Sequence, residues 1–383
     1  MYYQETVWWY SFARQLVLYT DSEVKHKYDI NRSFKKLTGI DIELFLQLMF
    51  ATWMYVEQNK LMNYEYSGFL EEGYYEIIVA LAGEKNAQKF IALLSITEQN
   101  AKQAIENESK IRDYDLQVFE VSVFTKKPII HLFGHSFIPH KSILNQTVNH
   151  FIYDFMKQND PSFTEELGRR MEKYMELGLK DVNIKYETET DLKKKYGRAE
   201  NVIDFILQDE ILVEAKAIEL KQYTNINPVS QLLSNELKSS IVKGYAKQLL
   251  TMANKLTNKE YFGLIITYKR IYLGGPEDVW NLFLKEAVTE IALEMDLDIS
   301  RLPYQNLFIL DIDTWDKLLQ ASKNRGAKIS NILKKARKNN ESAETKKFYF
   351  DLHLEEYHVN NYSLKHLTKA YDKFKSFEQS NDT

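Results

Sequence analysis

Residues 201–217, NVIDFILQDEILVEAKA, read as two short apolar strands that carry three polar intruders, Asp204, Glu214 and Lys216. Gln208-Asp209-Glu210 has the composition of a three-residue turn, which makes Val202 to Leu207 one arm of a hairpin and Ile211 to Ala217 the other. In that register Leu207 faces Ile211, and Asp204 therefore comes opposite Glu214. Directly opposed residues share a face of the sheet with Cβ atoms about 5 Å apart, and Lys216, two positions beyond Glu214, lies on the same face. Two carboxylates this close in a half-buried sheet repel one another and lose hydration unless positive charge sits between them. A divalent cation with a preference for hard oxygen ligands, Mg²⁺ or Mn²⁺, meets that demand, and an ammonium beside it can hold a water or neutralise charge on a phosphate.

Outward from the hairpin the pattern is an ordered succession. A helix at 145–157 is stopped by Pro161, and a second helix follows with Leu167, Met171, Tyr174 and Met175 on one stripe. A polar strand at 183–190 and a basic loop at 191–200 precede the hairpin. After it come a long helix at 230–256, a strand at 261–273, a helix at 276–295 and a strand at 306–313. This alternation predicts an α/β layer fold with helices covering both faces of a mixed sheet. We take 141–324 as that domain. Residues 1–140 read as a mostly helical, aromatic-rich block, with helical periodicity over 41–61 and 73–96 and a β-like passage at 119–134, and 325–383 as a basic helical C-terminal region. His131, His135 and His140 fall among Pro128, Gly134 and Pro139, a loop and strand context that favours scattered histidines over a metal site.

Composition narrows the chemistry. The chain has 383 residues and no cysteine, so disulfides and thiolate-held zinc or iron–sulfur sites are excluded, and carboxylates become the leading metal ligands. A net charge of −4 excludes a uniformly basic nucleic-acid coat and confines phosphate contacts to local patches. No apolar run approaches the length of a membrane span, and the N-terminus lacks the pattern of a secretory signal, so the expectation is a cytoplasmic protein with no membrane partner.

An acidic residue on one strand followed by E-x-K on the next, within a helix, three strands, helix and strand, resembles the PD-(D/E)XK (restriction endonuclease-like) nuclease superfamily. Ile203-Asp204 and Val213-Glu214-Ala215-Lys216 carry the match, with Ile203 where the motif's name has proline. The layout is nearest to Holliday-junction-resolvase-like and Mrr-like nucleases, whose first core helix carries G-x-x-x-E; Gly168 and Glu172 stand at that spacing, with Glu166 a competitor in the same helix. The helix after E-x-K often carries a glutamine beside the site, and Gln248 occupies that place. The aromatic N-terminal block ahead of such a core resembles the layout of nuclease subunits of bacterial anti-phage defence systems.

The resemblance, which covers about 145–313, implies a restriction endonuclease-like core and metal-dependent hydrolysis of phosphodiester bonds by an endo- or exonuclease, in DNA before RNA. Asp204, Glu214, the Ala215 carbonyl and Glu172 would hold Mg²⁺ or Mn²⁺, Lys216 would act on the attacking water, and Gln248 would orient groups near the phosphate. Lys193, Lys194, Lys195 and Arg198 in the loop before the hairpin, and Lys243 and Lys247 on the following helix, are the candidate backbone-phosphate contacts. Eight basic residues between Arg325 and Lys347 form a further candidate arm. Cutting both strands of a duplex would suit a two-fold homodimer, with the N-terminal block as a partner-binding or sensing module. The alternative is a catalytically silent subunit that keeps the fold to bind nucleic acid or a partner protein, and asks of Asp204, Glu214 and Lys216 only charge balance.

Overall fold

The computed structural model describes residues 9–58, 68–70, 72–108, 122–197, 201–218, 235–256, 260–271, 273–357, 359 and 364–379. Two compact units divide the chain: residues 1–170 with 367–383, and residues 171–366. The first division falls inside the helix Phe163–Asp181 and not near 140, and the last helix, Lys365–Gln379, returns almost wholly to the first unit. The fold is mixed α/β. Among the described residues no single helix is long and apolar enough to cross a membrane.

The first unit combines helices with a four-stranded mixed sheet of β1 (Gly68–Leu70), β2 (Ser95–Thr97), β3 (Ile129–Leu132) and β4 (His135–Ile138), ordered β1-β4-β3-β2. The stretch 73–96, with its helical periodicity, folds as two helices, Glu72–Ala82 and Glu84–Leu94, with β2 after them. The break is at Gly83, whose φ of 74° no helix accommodates. The aromatic residues of this block form a core of edge-to-face and stacked rings: Phe45 packs on Phe34, Phe90 and Phe151, and Phe12 on Phe50. His131 is satisfied by hydroxyls, Nδ1 with Ser136 at 2.5 Å and Nε2 with Ser95 at 3.0 Å, and His140 Nδ1 caps a helix by accepting from Ser142 N–H.

The second unit is built on a five-stranded sheet of β5 (Tyr186–Thr188), β6 (Phe205–Leu207), β7 (Ile211–Lys216), β8 (Phe262–Thr267) and β9 (Leu307–Asp311), in that spatial order. The first two pairings are antiparallel and the last two parallel. All six positions of β8 are buried, which requires cover on both faces. Over one face, Ile206, Leu212 and Ile265 join a core with Ile241, Tyr245 and Leu249 from the helix Lys238–Leu250 and Val288 from the helix that follows β8. The helix Ile312–Arg325 packs on β8 and β9 and receives a hydrogen bond at Asp316 Oδ2 from buried Tyr174 (2.7 Å).

Two parts of this unit depart from the sequence reading. The basic loop at 191–200 is largely a helix, Glu189–Tyr196, started by a capping box between Thr188 and Asp191. The described part of the helix expected at 230–256 is wound mainly in the wider π form, Lys238–Leu250; residues 219–234 lie outside the described set. The basic segment after Arg325 is helical, as expected, but three of its cations are already paired. Its helix Ile329–Asn340 buries Ile329, Ile332, Leu333 and Ala336, and Arg337, Lys335 and Lys346 pair with Glu260, Glu356 and Asp278.

Candidate active site

The hairpin folds in the register its sequence requires. Leu207 pairs with Ile211, Ile206 with Leu212 and Phe205 with Val213, so the next rung sets Asp204 against Glu214. Gln208 and Asp209 both adopt positive φ (52° and 64°), and Glu210 N–H closes the turn on Leu207 O at 3.1 Å. The polar row is thus the continuation of the buried apolar row Ile206 and Leu212. Asp204 is 8% exposed, Glu214 2%, and the Lys216 side chain 19%.

Around this row the contacts are short and charge-assisted. Asp204 Oδ2 accepts the Ala215 N–H at 2.7 Å. Lys216 Nζ donates to Glu214 Oε1 and to Gln248 Oε1, both at 2.6 Å, and Gln248 Nε2 donates to the same Glu214 Oε1 at 2.5 Å. Glu214 Oε2 is buried and has no hydrogen-bond partner. Burial holds the Asp204 carboxyl well above the usual carboxylate range, and the negative charges of Glu214 and Glu172 add to that, against the Ala215 amide and Lys216. Burial likewise pushes Glu214 up, to about 6, with Glu172 adding and Lys216 and Gln248 opposing. Glu172 therefore stands within electrostatic reach of both.

The helix Lys238–Leu250 reaches this row through a residue that the sequence reading passed over. A Cβ on Gly244 would sit 3.3 Å from Lys216 Cε and 3.9 Å from Glu214 Cγ. Its lack of a side chain lets the helix backbone lie against Lys216 while Gln248, one turn on, reaches both charged groups. The available signal was a glycine one turn before the glutamine, in a segment otherwise rich in helix formers. Gly168 differs: a Cβ there would meet nothing within 4 Å, so packing does not impose the glycine of G-x-x-x-E.

Glu166, the competitor to Glu172, has another task. Its carboxylate is buried in the first unit, where it accepts the backbone N–H groups of His26 (2.9 Å), Lys27 (3.0 Å) and Tyr28 (3.0 Å) and the Arg170 Nε–H (2.8 Å). Of the candidate phosphate contacts, Lys193 pairs with Glu189 at 2.6 Å within its own helix and Lys195 with Glu187 at 3.1 Å. Lys194 and Lys243 are exposed, Lys247 is half-buried, and Arg198 lies outside the described residues.

Among the described residues no group of three or more histidine, aspartate or glutamate side chains is disposed to hold a metal ion. The set that does converge is a two-carboxylate one, Asp204 and Glu214, with the Ala215 peptide between them. Hard oxygen donors of this kind fit Mg²⁺, which commonly takes one or two carboxylates and fills its remaining positions with water. Glu214 Oε2, buried and without a partner, is the observation that speaks for such a group. No protein-family model matches the chain, and no curated protein or solved structure matches it.

Proposed function

We propose that the chain is a divalent-metal-dependent nuclease of restriction endonuclease-like fold that hydrolyses phosphodiester bonds, in DNA. The observation that carries this reading is the row Asp204, Glu214 and Lys216 on one face of the sheet, met by Gln248 from the covering helix, with one Glu214 oxygen left unsatisfied. Asp204, Glu214 and the Ala215 carbonyl would hold the cation, which when bound supplies charge to polarise a phosphoryl oxygen and to acidify a water. Lys216, held by Glu214 and Gln248, presents its ammonium to the negative charge that builds up on a phosphate under attack. Glu172 adds negative potential to the carboxylate pair.

The test is a Mg²⁺ and Mn²⁺ titration with plasmid, linear duplex, single-stranded DNA and RNA, comparing the wild type with Lys216→Ala. Metal-dependent cleavage that disappears in the variant is the expected result; equal background cleavage in both would sink the reading.

A second reading has an observation of its own. Lys216 already pairs with the buried Glu214 carboxylate, as a catalytically silent subunit that binds nucleic acid or a partner would need. Gly244→Ala separates the two. The new methyl group displaces Lys216 without unpairing the charges, so a nuclease is expected to lose about tenfold to a hundredfold in turnover. Melting temperature should hold, since alanine favours a helix over glycine. Unchanged turnover would show that the position of Lys216 is not used in catalysis.

A further inference from the structure

Along β9, the edge strand of the sheet, and beside the last residue of β8, Thr267, the second unit opens a cleft. Thr267 and Asp311, which line it, lie on the same rung of the sheet as Lys216, so that the cleft begins one strand spacing, about 5 Å, from the polar row.

Its lining divides into two parts. One wall is aromatic: Phe348, 56% exposed, stands edge-on to Tyr349 with ring centroids 4.7 Å apart, and Arg270 lies over the Tyr349 ring. The charges are unequally engaged. Arg270 is taken up by Asp311 at 2.5 Å and Asp351 at 3.0 Å, whereas among the described residues Lys347 has no acidic partner. Lys347 also stands close enough to His353, a further lining residue, to disfavour its imidazolium, after burial has done so first. Asp351, finally, keeps Oδ1 buried and without a hydrogen-bond partner, an acceptor that a ligand N–H would satisfy. A flat ring bearing N–H donors, joined to an anionic group, is complementary to this lining.

We propose that the cleft binds a nucleotide, its base against the Phe348 and Tyr349 wall and its phosphate at Lys347. The proposal does not rest on the nuclease reading. The nucleotide has two sources, a free mononucleotide or a nucleotide of a bound strand.

Equilibrium dialysis of the full chain without divalent metal, against the four nucleoside 5′-monophosphates and a mixed pentanucleotide, tests it. Phe348→Ala and Lys347→Ala change exposed or half-buried side chains and serve as the variants. Binding of either probe is expected, weakened about tenfold by each variant, through loss of stacking in one and of a charge-assisted contact in the other. Saturation by a monophosphate identifies a free nucleotide as the source, and binding of the pentanucleotide alone identifies a strand. Binding is read without divalent metal and without cleavage, so a failed nuclease reading leaves this result standing. No binding of either probe by the wild type, or binding indifferent to both variants, would overturn the proposal.

Discussion

Asp204→Asn is expected to abolish cleavage and, in the same protein, to raise stability at neutral pH. Asp204 is buried, its carboxyl is held above the usual range by that burial, and Glu214 and Glu172 oppose its ionisation. A carboxyl raised in the folded state stabilises the fold fully below its unfolded value, near 4, and that contribution is lost as pH rises through the folded value. At pH 8 the ionised group is therefore a net cost. Asparagine removes the charge and keeps an oxygen for the Ala215 N–H. The gain should be on the order of 1 to 3 kcal/mol at pH 8 and shrink towards nothing at pH 4, read by denaturant titration at both. Cleavage should fall by about three orders of magnitude or more. Mg²⁺ should stabilise the wild type by mass action and leave the variant unmoved. A variant less stable than the wild type at pH 8 would mean that Asp204 is a structural partner and not a strained functional group.

That trade of stability for a charged site explains why the hairpin was legible in the sequence. Strand period fixes which side chains share a face, and a three-residue turn fixes the rung, so Asp204, Glu214 and Lys216 could be placed from residues 201–217 alone. Over 141–313 most helices and the strands β7, β8 and β9 are long enough to show their period, and β6, three residues long, was legible as an arm of the hairpin. What was not legible depends on partners far away in the chain. β1 and β2 have three residues each, too few for a period, and β2 is a strand only through its parallel pairing with β3. The role of Gly244 appears only when the helix lies on β7. The eight basic residues from Arg325 to Lys347 looked like a phosphate arm because the acidic partners of Arg337 and Lys346, Glu260 and Asp278, stand some 70 residues earlier. The aromatic wall of the cleft likewise has no local signature, since Phe348 and Tyr349 reach β8 and β9 by tertiary packing.

Glu166 and Glu172 sit in one helix, and sequence alone offers both to the site; substitution is expected to part them. Glu166 is 3% exposed and Arg170 1%, and the pair also fixes the turn at His26–Tyr28, because Arg170 donates onward to Leu18 O (2.9 Å) and Tyr28 O (3.3 Å). Glu166→Ala strands a buried guanidinium and three backbone N–H groups, at a cost of about 3 to 5 kcal/mol, mostly in the first unit. Burial alone would raise the Glu166 carboxyl, but the three backbone amides and Arg170 outweigh it and the net shift is downward. A group depressed in the folded state contributes stability above its unfolded value, near 4.3, and loses it as pH falls through the folded value. The wild type should therefore lose this part of its stability on acidification, and Glu166→Gln, which cannot ionise, should start lower and show less of that loss. Cleavage per folded molecule should survive at position 166. Glu172→Gln should do the reverse, with stability retained because the residue is half-buried, and cleavage lost because a cation at the carboxylate pair would be held by less negative charge. Retained cleavage in Glu172→Gln would remove that residue from the acidic cluster while leaving Asp204, Glu214 and Lys216 in place.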